Sequence, residues 1–185
     1  MNSPLPRLIA AAALACASLT GLRADDAPNK YAPLAYAPLG NVGQALVDME
    51  MAKHPELKLI TLHVTPRGIP ADSDKDRCIL FSSIGRIGKH DNDEDIGIFK
   101  ANKESTEVAT EPVPGVPKWS VTSTPKFEVL TPLLDSSGKS IGLAVIVFAY
   151  KKGDDVGKFT ETAHTIRDEI KDRTPSKDAL FEPAS

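Results

Sequence analysis

Residues 127–150, FEVLTPLLDSSGKSIGLAVIVFAY, carry the clearest structural pattern in this chain. Two apolar segments flank the polar stretch 135–139, DSSGK, in which Gly138 can take the positive φ angle that such a loop needs. The pattern therefore predicts a β-hairpin. Because its second arm is apolar on both faces, we expect a central strand that is covered on both sides. The alternating residues of that arm form two sets: Ile141, Leu143, Val145, Val147 and Ala149, and Ala144, Ile146, Phe148 and Tyr150.

The N-terminus has the features of an export signal. Arg7 precedes the apolar run 8–15, LIAAAALA, which is too short to span a bilayer and is followed by small residues. We predict that residues 1–24 are a signal peptide and that the protein is periplasmic or secreted. Cleavage is possible at the A-x-A pattern of residues 15–17 or after Ala24. Alternatively, the residues before Cys16 resemble a bacterial lipobox, and a lipid on Cys16 would then anchor the protein to a membrane.

The composition narrows the classes of partner. The 185 residues have a formal net charge of −3, and removing residues 1–24 takes away Arg7 and Arg23 and no acid, which leaves −5. An acidic protein of this kind lacks the basic surface that nucleic acid requires, so we expect no nucleic-acid partner. No later segment is long and apolar enough to cross a membrane, so we expect no transmembrane segment in the mature chain.

The two cysteines, Cys16 and Cys78, predict no internal disulfide. Once Cys16 is cleaved off or lipidated, Cys78 has no partner in the chain. At the start of an apolar strand, Cys78 is expected to be a small buried side chain rather than a nucleophile.

Residues 25–40 contain the unit Tyr-Ala-Pro-Leu twice and are expected to be an extended linker, since proline disfavours helix at the preceding residue. A tyrosine-bearing segment that docks on a partner is the alternative.

A helix follows, with Asn41 as its N-cap and Gln44 as the reciprocal partner, and it ends at His54 before a proline. Strands are predicted at residues 59–65 and 78–84, separated by a loop at 66–77.

A second helix is predicted to begin at Asp91, with Glu94 at its third position, and a proline-rich loop to cover residues 104–125. After the hairpin, Asp154 or Asp155 caps a last amphipathic helix that ends before Pro175. Its apolar stripe consists of Val156, Phe159, Ala163, Ile166 and Ile170. The folded domain is thus predicted at residues 41–173, followed by a disordered tail at 174–185. Antiparallel strands with separate helices predict an α+β fold. We expect a central, mostly antiparallel sheet with N-terminal, middle and C-terminal helices.

This order of elements resembles the single Cache/PDC sensor domains of bacteria, which are extracytoplasmic PAS-like folds. The resemblance covers roughly residues 40–172 and is carried by residues 59–65, 79–89 with the sequence IGRIGK, 91–103 and 132–147. It implies a small ligand, such as an amino acid or organic acid, between the sheet and the loops that cross it. Family members are usually tethered to a membrane and drive a kinase or chemoreceptor. With a cleavable signal and no output domain, this chain is expected to be a free or lipid-anchored binding module.

Motifs for catalysis, cofactors and metals are not found in the sequence. Four of the residues 91–95, DNDED, are acidic, but Ile96 and Asn102 occupy positions where a calcium-binding EF-hand has glycine and glutamate, so a capped helix start is expected. The four histidines have no ligand spacing, and His63 is expected to be a sheet-surface or pocket-wall residue. No Ser-His-Asp order, Gly-rich phosphate loop or CxxC pair is present. We therefore predict no enzyme, cofactor or metal site.

Six residues are predicted to form a ligand pocket. The planar guanidinium of Arg86 can donate two hydrogen bonds to a ligand carboxylate. Trp119 is expected either to form a lid over the pocket or to pack against the sheet. The hydroxyl of Tyr150 can reach the same site. The full set is Thr61, His63, Ser82, Arg86, Trp119 and Tyr150. The resulting hypothesis is an exported, non-enzymatic, sensor-like module for a small polar or anionic molecule. The alternative is an envelope protein-interaction module with no small ligand, which uses residues 31–39 and the acidic surface to bind an envelope partner.

Overall fold

The computed structural model describes residues 40–112, 114–118 and 120–184. The predicted signal peptide, the predicted linker up to residue 39 and Trp119 lie outside these residues. Within them the elements are α1 (Val42–Lys53), β1 (Leu57–Val64), β2 (Cys78–Ser82), α2 (Asp93–Ala101), β3 (Ser105–Ala109), β4 (Lys126–Leu134), β5 (Ser140–Ala149) and α3 (Val156–Asp172), with 3-10 helices at Asp74–Asp76 and Lys177–Phe181. None of the helices in these ranges has the length and apolar character needed to cross a membrane.

The five strands form one antiparallel sheet in the order β2-β1-β5-β4-β3. The predicted hairpin is confirmed as β4 and β5, and β5 is the central strand. At the turn Gly138 has a φ of 84°. Asp135 Oδ1 accepts hydrogen bonds from the backbone N–H groups of Ser137 and Lys139, both at 3.0 Å, and so fixes the turn. The α+β fold predicted from the sequence is confirmed.

Both faces of the sheet are covered. The larger apolar cluster lies on the face that contacts α1, α3 and the C-terminal 3-10 helix, and it includes Ile60, Ile146 and Phe148. A smaller cluster lies on the other face, where α2 packs against β4 and β5; its buried members are Leu59, Leu130, Leu143, Val145 and Val147. Burial of both faces explains why β5 is apolar throughout.

One residue departs from the predicted alternation of β5. Ile141 belongs to the larger cluster, with Ala144 and Ile146, rather than to the smaller cluster. The register between β4 and β5 is irregular here, since Leu133 pairs with Gly142 while Leu134 pairs with Ser140. An extra residue in one strand changes the face to which its side chain points.

The start of α1 follows the prediction in part. Asn41 is the N-cap, and its Oδ1 accepts a hydrogen bond from the Gln44 backbone N–H at 2.8 Å. The Gln44 side chain, however, does not return to Asn41. It donates to the Ser82 carbonyl oxygen at 3.1 Å and accepts from the Ser82 N–H at 3.1 Å, so it joins α1 to the edge strand β2.

The predicted start of α2 is wrong by one residue. Asn92 is the N-cap and forms a reciprocal capping box with Asp95, instead of Asp91 with Glu94. Asn is as good an N-cap as Asp, and its use leaves the Asp91 carboxylate free to turn inward toward β1.

The loop predicted at residues 104–125 contains a strand. Residues Ser105–Ala109 form β3, which pairs with β4 from Ser105 opposite Leu130 to Ala109 opposite Lys126. The strand is largely exposed and contributes few apolar side chains, so it carries no hydrophobic alternation for a sequence pattern to detect.

The disordered tail predicted for residues 174–185 is also wrong. Lys177–Phe181 form a 3-10 helix in which Leu180 is fully buried, and the ring of Phe181 lies 5.2 Å from the ring of Phe81. The backbone then pairs with the start of α1, since the Val42 N–H donates to the Glu182 carbonyl oxygen at 2.9 Å. The folded domain therefore extends beyond residue 173.

Candidate functional site

A cavity of about 280 Å³ lies on the second face of the sheet. Strands β1 and β5 form its floor, and the loop after β2, the start of α2 and the segment between β3 and β4 form its walls. The cavity is lined by Leu59, Thr61, His63, Ile79, Ile84, Arg86, Lys89, Asn92, Asp95, Val116, Thr122, Lys126, Glu128, Val145 and Val147. The apolar floor with charged walls can hold a small molecule and orient it through polar groups.

The alternation of β1 determines which of its residues reach the cavity. Ile60, Leu62 and Val64 belong to the larger core cluster. Their neighbours in the strand point to the opposite face, where Thr61 and His63 line the cavity. Both side chains are nevertheless almost fully buried, at 3% and 6% exposure. His63 therefore lies in the wall of the cavity, and its role in binding stays a prediction.

Arg86 and Lys89 bring two positive charges to the cavity wall from the loop after β2. Both residues are exposed, and neither side chain has an ion pair with any of the described residues. Arg86 has a φ of 60°, in the left-handed region that costs free energy for a residue with a side chain. The loop is held at its ends, because the Gly88 N–H donates to the Ile79 carbonyl oxygen at 2.7 Å and the Ile79 N–H donates to the Lys89 carbonyl oxygen at 2.9 Å.

A chain of polar contacts runs from the cavity floor into the interior. Thr61 Oγ1 lies 2.9 Å from His63 Nε2, and His63 Nδ1 lies 2.8 Å from Asp91 Oδ1. The other Asp91 oxygen lies 3.8 Å from Nε of Arg77. Hydrolytic triads have the same order of hydroxyl, imidazole and carboxylate, but their hydroxyl is exposed at a sharp turn. Because Thr61 is buried in the middle of a strand, its contact is better suited to orient His63 than to attack a substrate.

Arg77 is a fully buried cation behind this chain. Its guanidinium carbon lies 3.5 Å from the centre of the Phe99 ring, and Nη2 donates to Asp74 Oδ1 at 3.2 Å. Burial lowers the pKa of Arg77, while the carboxylates of Asp91 and Asp74 oppose that shift. Arg77 therefore remains charged and balances the buried carboxylate of Asp91.

Asp95 and Glu128 supply negative charge to the same cavity. Burial raises the pKa of Asp95; His63 and the backbone N–H of Asn92 lower it, and Asp91 and Glu128 raise it. Glu128 is paired with Lys126 on the same face of β4. The cavity thus has an acidic region next to His63 and a basic region at Arg86 and Lys89.

Three of the six predicted site residues, Thr61, His63 and Arg86, line the cavity. Ser82 does not line the cavity. Its backbone N–H donates a hydrogen bond to the Gln44 side chain, and its hydroxyl accepts one from the Ile84 N–H at 3.1 Å. Tyr150 packs against the larger core cluster on the other face of the sheet, so its predicted position is wrong. Trp119 lies outside the described residues.

Cys78 behaves as the sequence predicts. It is fully buried and free, and burial, followed by the charges of Asp91 and Asp76, raises the pKa of its thiol to about 12. A thiol in that state is a poor nucleophile.

Sequence analysis missed four charged residues of the cavity: Lys89, Asp95, Lys126 and Glu128. It also missed that His63, Asp91 and Asp95 each place one potential ligand atom within 4.8 Å of the others. His63 and Asp91 are 28 positions apart in the sequence, and no short metal-binding spacing spans such a gap. Only the pairing of β1 with β2, and the turn into α2, brings them together.

The comparisons with known proteins identify no family. No protein-family model matches the chain, and no curated protein matches it. Among solved structures, a type II free methionine-R-sulfoxide reductase from Thermoplasma acidophilum superposes with a TM-score of 0.40 at 15% sequence identity, over 75% of this chain and 88% of that chain. A similarity of this extent supports no inference about activity.

Proposed function

We propose that this protein is an exported, non-enzymatic, sensor-like module that binds a small anionic or polar molecule in the cavity between the sheet and the loops. The observation that carries the proposal is the pair Arg86 and Lys89, two cations on the cavity wall that have no acidic partner among the described residues. The resemblance to Cache/PDC sensor domains in residues 40–172 favours the same kind of function.

The charges of the cavity favour an anion. Lys126 is already paired with Glu128, whereas the guanidinium of Arg86 is available to a ligand. An arginine can donate two parallel hydrogen bonds to a carboxylate or phosphate, and Lys89 adds a second charge three residues away. An anionic group of the ligand is therefore expected to bind at the loop, with the rest of the molecule on the apolar floor of Leu59, Val145 and Val147.

The backbone of Arg86 adds to this argument. A φ of 60° is disfavoured for arginine, and glycine would take it without strain. Strained residues that are not glycine concentrate at functional sites, where the surrounding structure holds them in the strained conformation. A binding role for the Arg86 side chain explains why an arginine occupies this position.

The volume of the cavity limits the size of the ligand. A volume of about 280 Å³ lies just below the range for small-molecule pockets, which is roughly 300–1,000 Å³. A ligand with one or two anionic groups and a short apolar or polar body fits this volume, and a nucleotide or larger cofactor does not.

Thermal unfolding of the purified protein with a panel of small anions tests the proposal. Suitable probes are inorganic phosphate, succinate and L-glutamate, with uncharged glycerol as the control. A ligand at about 100 times its Kd stabilises the folded state by roughly 2.7 kcal/mol, which is about 5–10 °C in Tm for a domain of this size. A rise in Tm with one class of anion supports binding in the cavity. No rise with any anion, in protein that mass spectrometry shows to be free of a co-purified small molecule, argues against it.

A flat result would favour the alternative, an envelope protein-interaction module. That alternative relies on residues 31–39, which lie outside the described residues. Deleting residues 25–39 separates the two proposals, because it should abolish capture of an envelope partner in the second case and leave anion binding unchanged in the first.

A further inference from the structure

We propose that His63, Asp91 and Asp95 form a binding site for one divalent transition-metal ion, next to the cavity floor. This inference goes beyond the anion-binding function and does not depend on it, because the basic residues Arg86 and Lys89 are not part of the metal site. The three residues come from separate places in the chain: β1, the segment before α2 and the first turn of α2.

The donor atoms are close enough to share an ion. One atom from each residue lies within 4.8 Å of the other two. Ligand bonds of about 2.1 Å place two donors on opposite sides of an ion at most about 4.2 Å apart. The donor separations are thus near those that a shared ion requires, and a rotation of the Asp95 side chain can bring them within that limit.

The closest pair of donors indicates the coordination geometry. His63 Nδ1 and Asp91 Oδ1 are 2.8 Å apart. With bonds of about 2.1 Å, this separation corresponds to an angle of roughly 85° at the ion. The angle is close to that between neighbouring positions of an octahedron. Tetrahedral coordination, as in structural zinc sites, would need these atoms about 3.4 Å apart.

Thr61 orients the imidazole for this role. Its Oγ1 lies 2.9 Å from His63 Nε2 and can accept a hydrogen bond from an Nε2–H group. This tautomer leaves the lone pair of Nδ1 directed toward Asp91, where the ion would lie. Histidines that bind metals commonly donate their second ring N–H to a fixed acceptor in this way.

The buried Asp91 carboxylate is a second, independent observation. Its side chain is fully buried, yet Oδ2 accepts no hydrogen bond from the described residues, and Arg77 Nε is 3.8 Å away. Buried carboxylates usually have several hydrogen-bond partners, so Asp91, with one side-chain hydrogen bond to His63 and a long ion pair to Arg77, is under-satisfied. Arg77 balances the charge of Asp91 and Lys126 that of Glu128, so a bound cation would compensate the remaining negative charge of Asp95.

The donor set selects the class of ion. One imidazole and two carboxylates suit first-row transition ions, whereas Mg²⁺ and Ca²⁺ prefer oxygen donors alone. Together with the octahedral angle, this composition points to ions such as Mn²⁺ or Co²⁺. The remaining coordination positions would be filled by water.

Calorimetric titration of the chelator-treated protein with CoCl₂ and MnCl₂ tests the site, with MgCl₂ for comparison. We expect one ion per chain, tighter binding of Co²⁺ than of Mg²⁺, and the weak visible absorption of octahedral Co²⁺. Asp95→Asn removes a ligand charge but keeps an oxygen that can accept the Asn92 N–H of the capping box, so this variant should fold and bind Co²⁺ at least about tenfold more weakly. His63→Gln should have the same effect.

Asp93→Asn is the matched control, because it removes the same charge from an exposed position in the same helical turn. It should bind Co²⁺ as the wild type does. Two results overturn the site: no Co²⁺ or Mn²⁺ binding by the wild-type protein at millimolar concentration, or an unchanged Co²⁺ affinity in folded Asp95→Asn. Neither result affects the anion proposal, which is tested by phosphate and carboxylate binding without metal.

Discussion

Gly142 of β5 lies directly against the backbone of His63 in β1. A Cβ atom at position 142 would stand 2.3 Å from the His63 carbonyl oxygen and 2.7 Å from Cγ1 of Val64. In the register of β1 and β5, Gly142 pairs with Val64, the residue that follows His63. The absence of a side chain at position 142 therefore allows the close approach of β1 and β5 beneath the cavity.

Gly142→Ala should destabilise the protein by about 3 kcal/mol or more, because the new methyl group meets backbone that cannot move without disturbing the sheet. Urea unfolding measures the change. Gly97→Ala is the control, since no atom lies within 4 Å of the added Cβ in helix α2. That substitution should be neutral or stabilise by up to about 1 kcal/mol. Equal stabilities for the two variants would contradict the close packing at Gly142.

Leu180→Ala should reveal that the C-terminal segment belongs to the core. Leu180 is fully buried in the larger apolar cluster, so its truncation should cost about 2–5 kcal/mol. Glu182→Ala, which removes an exposed partner of Arg67 two residues later, should change stability little. Chemical denaturation compares the variants. If Leu180→Ala were as stable as the wild type, the segment would not be packed as described.

Glu50→Gln should become increasingly stabilising as the pH rises. Burial raises the pKa of Glu50 above its ordinary value of 4.5; Glu169 raises it further, and Lys53 and His54 lower it. The folded state therefore binds this proton more tightly than the unfolded state. The stability that Glu50 contributes is present below pH 4.5 and is lost as the pH rises through the higher pKa of the folded state.

Gln cannot ionise, so the difference in Tm between Glu50→Gln and the wild type should grow from pH 4 to pH 8. Glu161→Gln, on the exposed surface of α3, is the control for the loss of a negative charge. A stability difference for Glu50→Gln that falls as the pH rises would show that the ion pair with Lys53 outweighs the burial of the carboxylate.

Asp135→Ala should cost about 2 kcal/mol, because three hydrogen bonds to Oδ1 are lost from the hairpin turn. Asp135→Asn keeps an acceptor oxygen and should cost less.

Burial raises the pKa of Asp135, but the hydrogen bonds from Ser137 and Lys139 outweigh that effect and lower it. The contribution of the carboxylate is thus present above pH 3.8 and is lost as the pH falls through its lower folded-state pKa. Unfolding at pH 7 and pH 3 should show a smaller deficit of Asp135→Asn at the lower pH.

The fold could be predicted from the sequence wherever the apolar residues recurred with the clear periodicity of a strand or a helix. The two-sided apolar pattern of residues 141–150 predicted the central strand, and the stripe of Ala163, Ile166 and Ile170 predicted the buried face of α3. Exposed β3 and the segment at Lys177–Phe181 were missed. Each depends on a partner distant in sequence, and neither has enough apolar residues to show a period.

The site was less predictable because it depends on strand register. Thr61 pairs with Val145 and so shares the face of the cavity, whereas Tyr150 follows Phe148 on the opposite face. The alternation of each strand is visible in the sequence, but the pairing that relates their faces is not. The contact of Asp91 with His63 was missed because the sequence predicts Asp91 as the N-cap of α2. In the structure the N-cap is the next residue, Asn92, and the Asp91 side chain contacts His63 instead.

The most direct test of the binding proposal is Arg86→Gly, measured for both stability and anion affinity. Glycine relieves the left-handed backbone, so the variant should gain about 1 kcal/mol in free energy of unfolding. It also loses the guanidinium, so its affinity for the anion that stabilises the wild type should fall at least tenfold, since a charged hydrogen bond contributes about 1.5–3 kcal/mol. Arg173→Ala, an exposed arginine outside the cavity, should leave that affinity unchanged. A more stable Arg86→Gly protein with weakened anion binding is the result we predict, and an unchanged affinity in Arg86→Gly would contradict the proposed site.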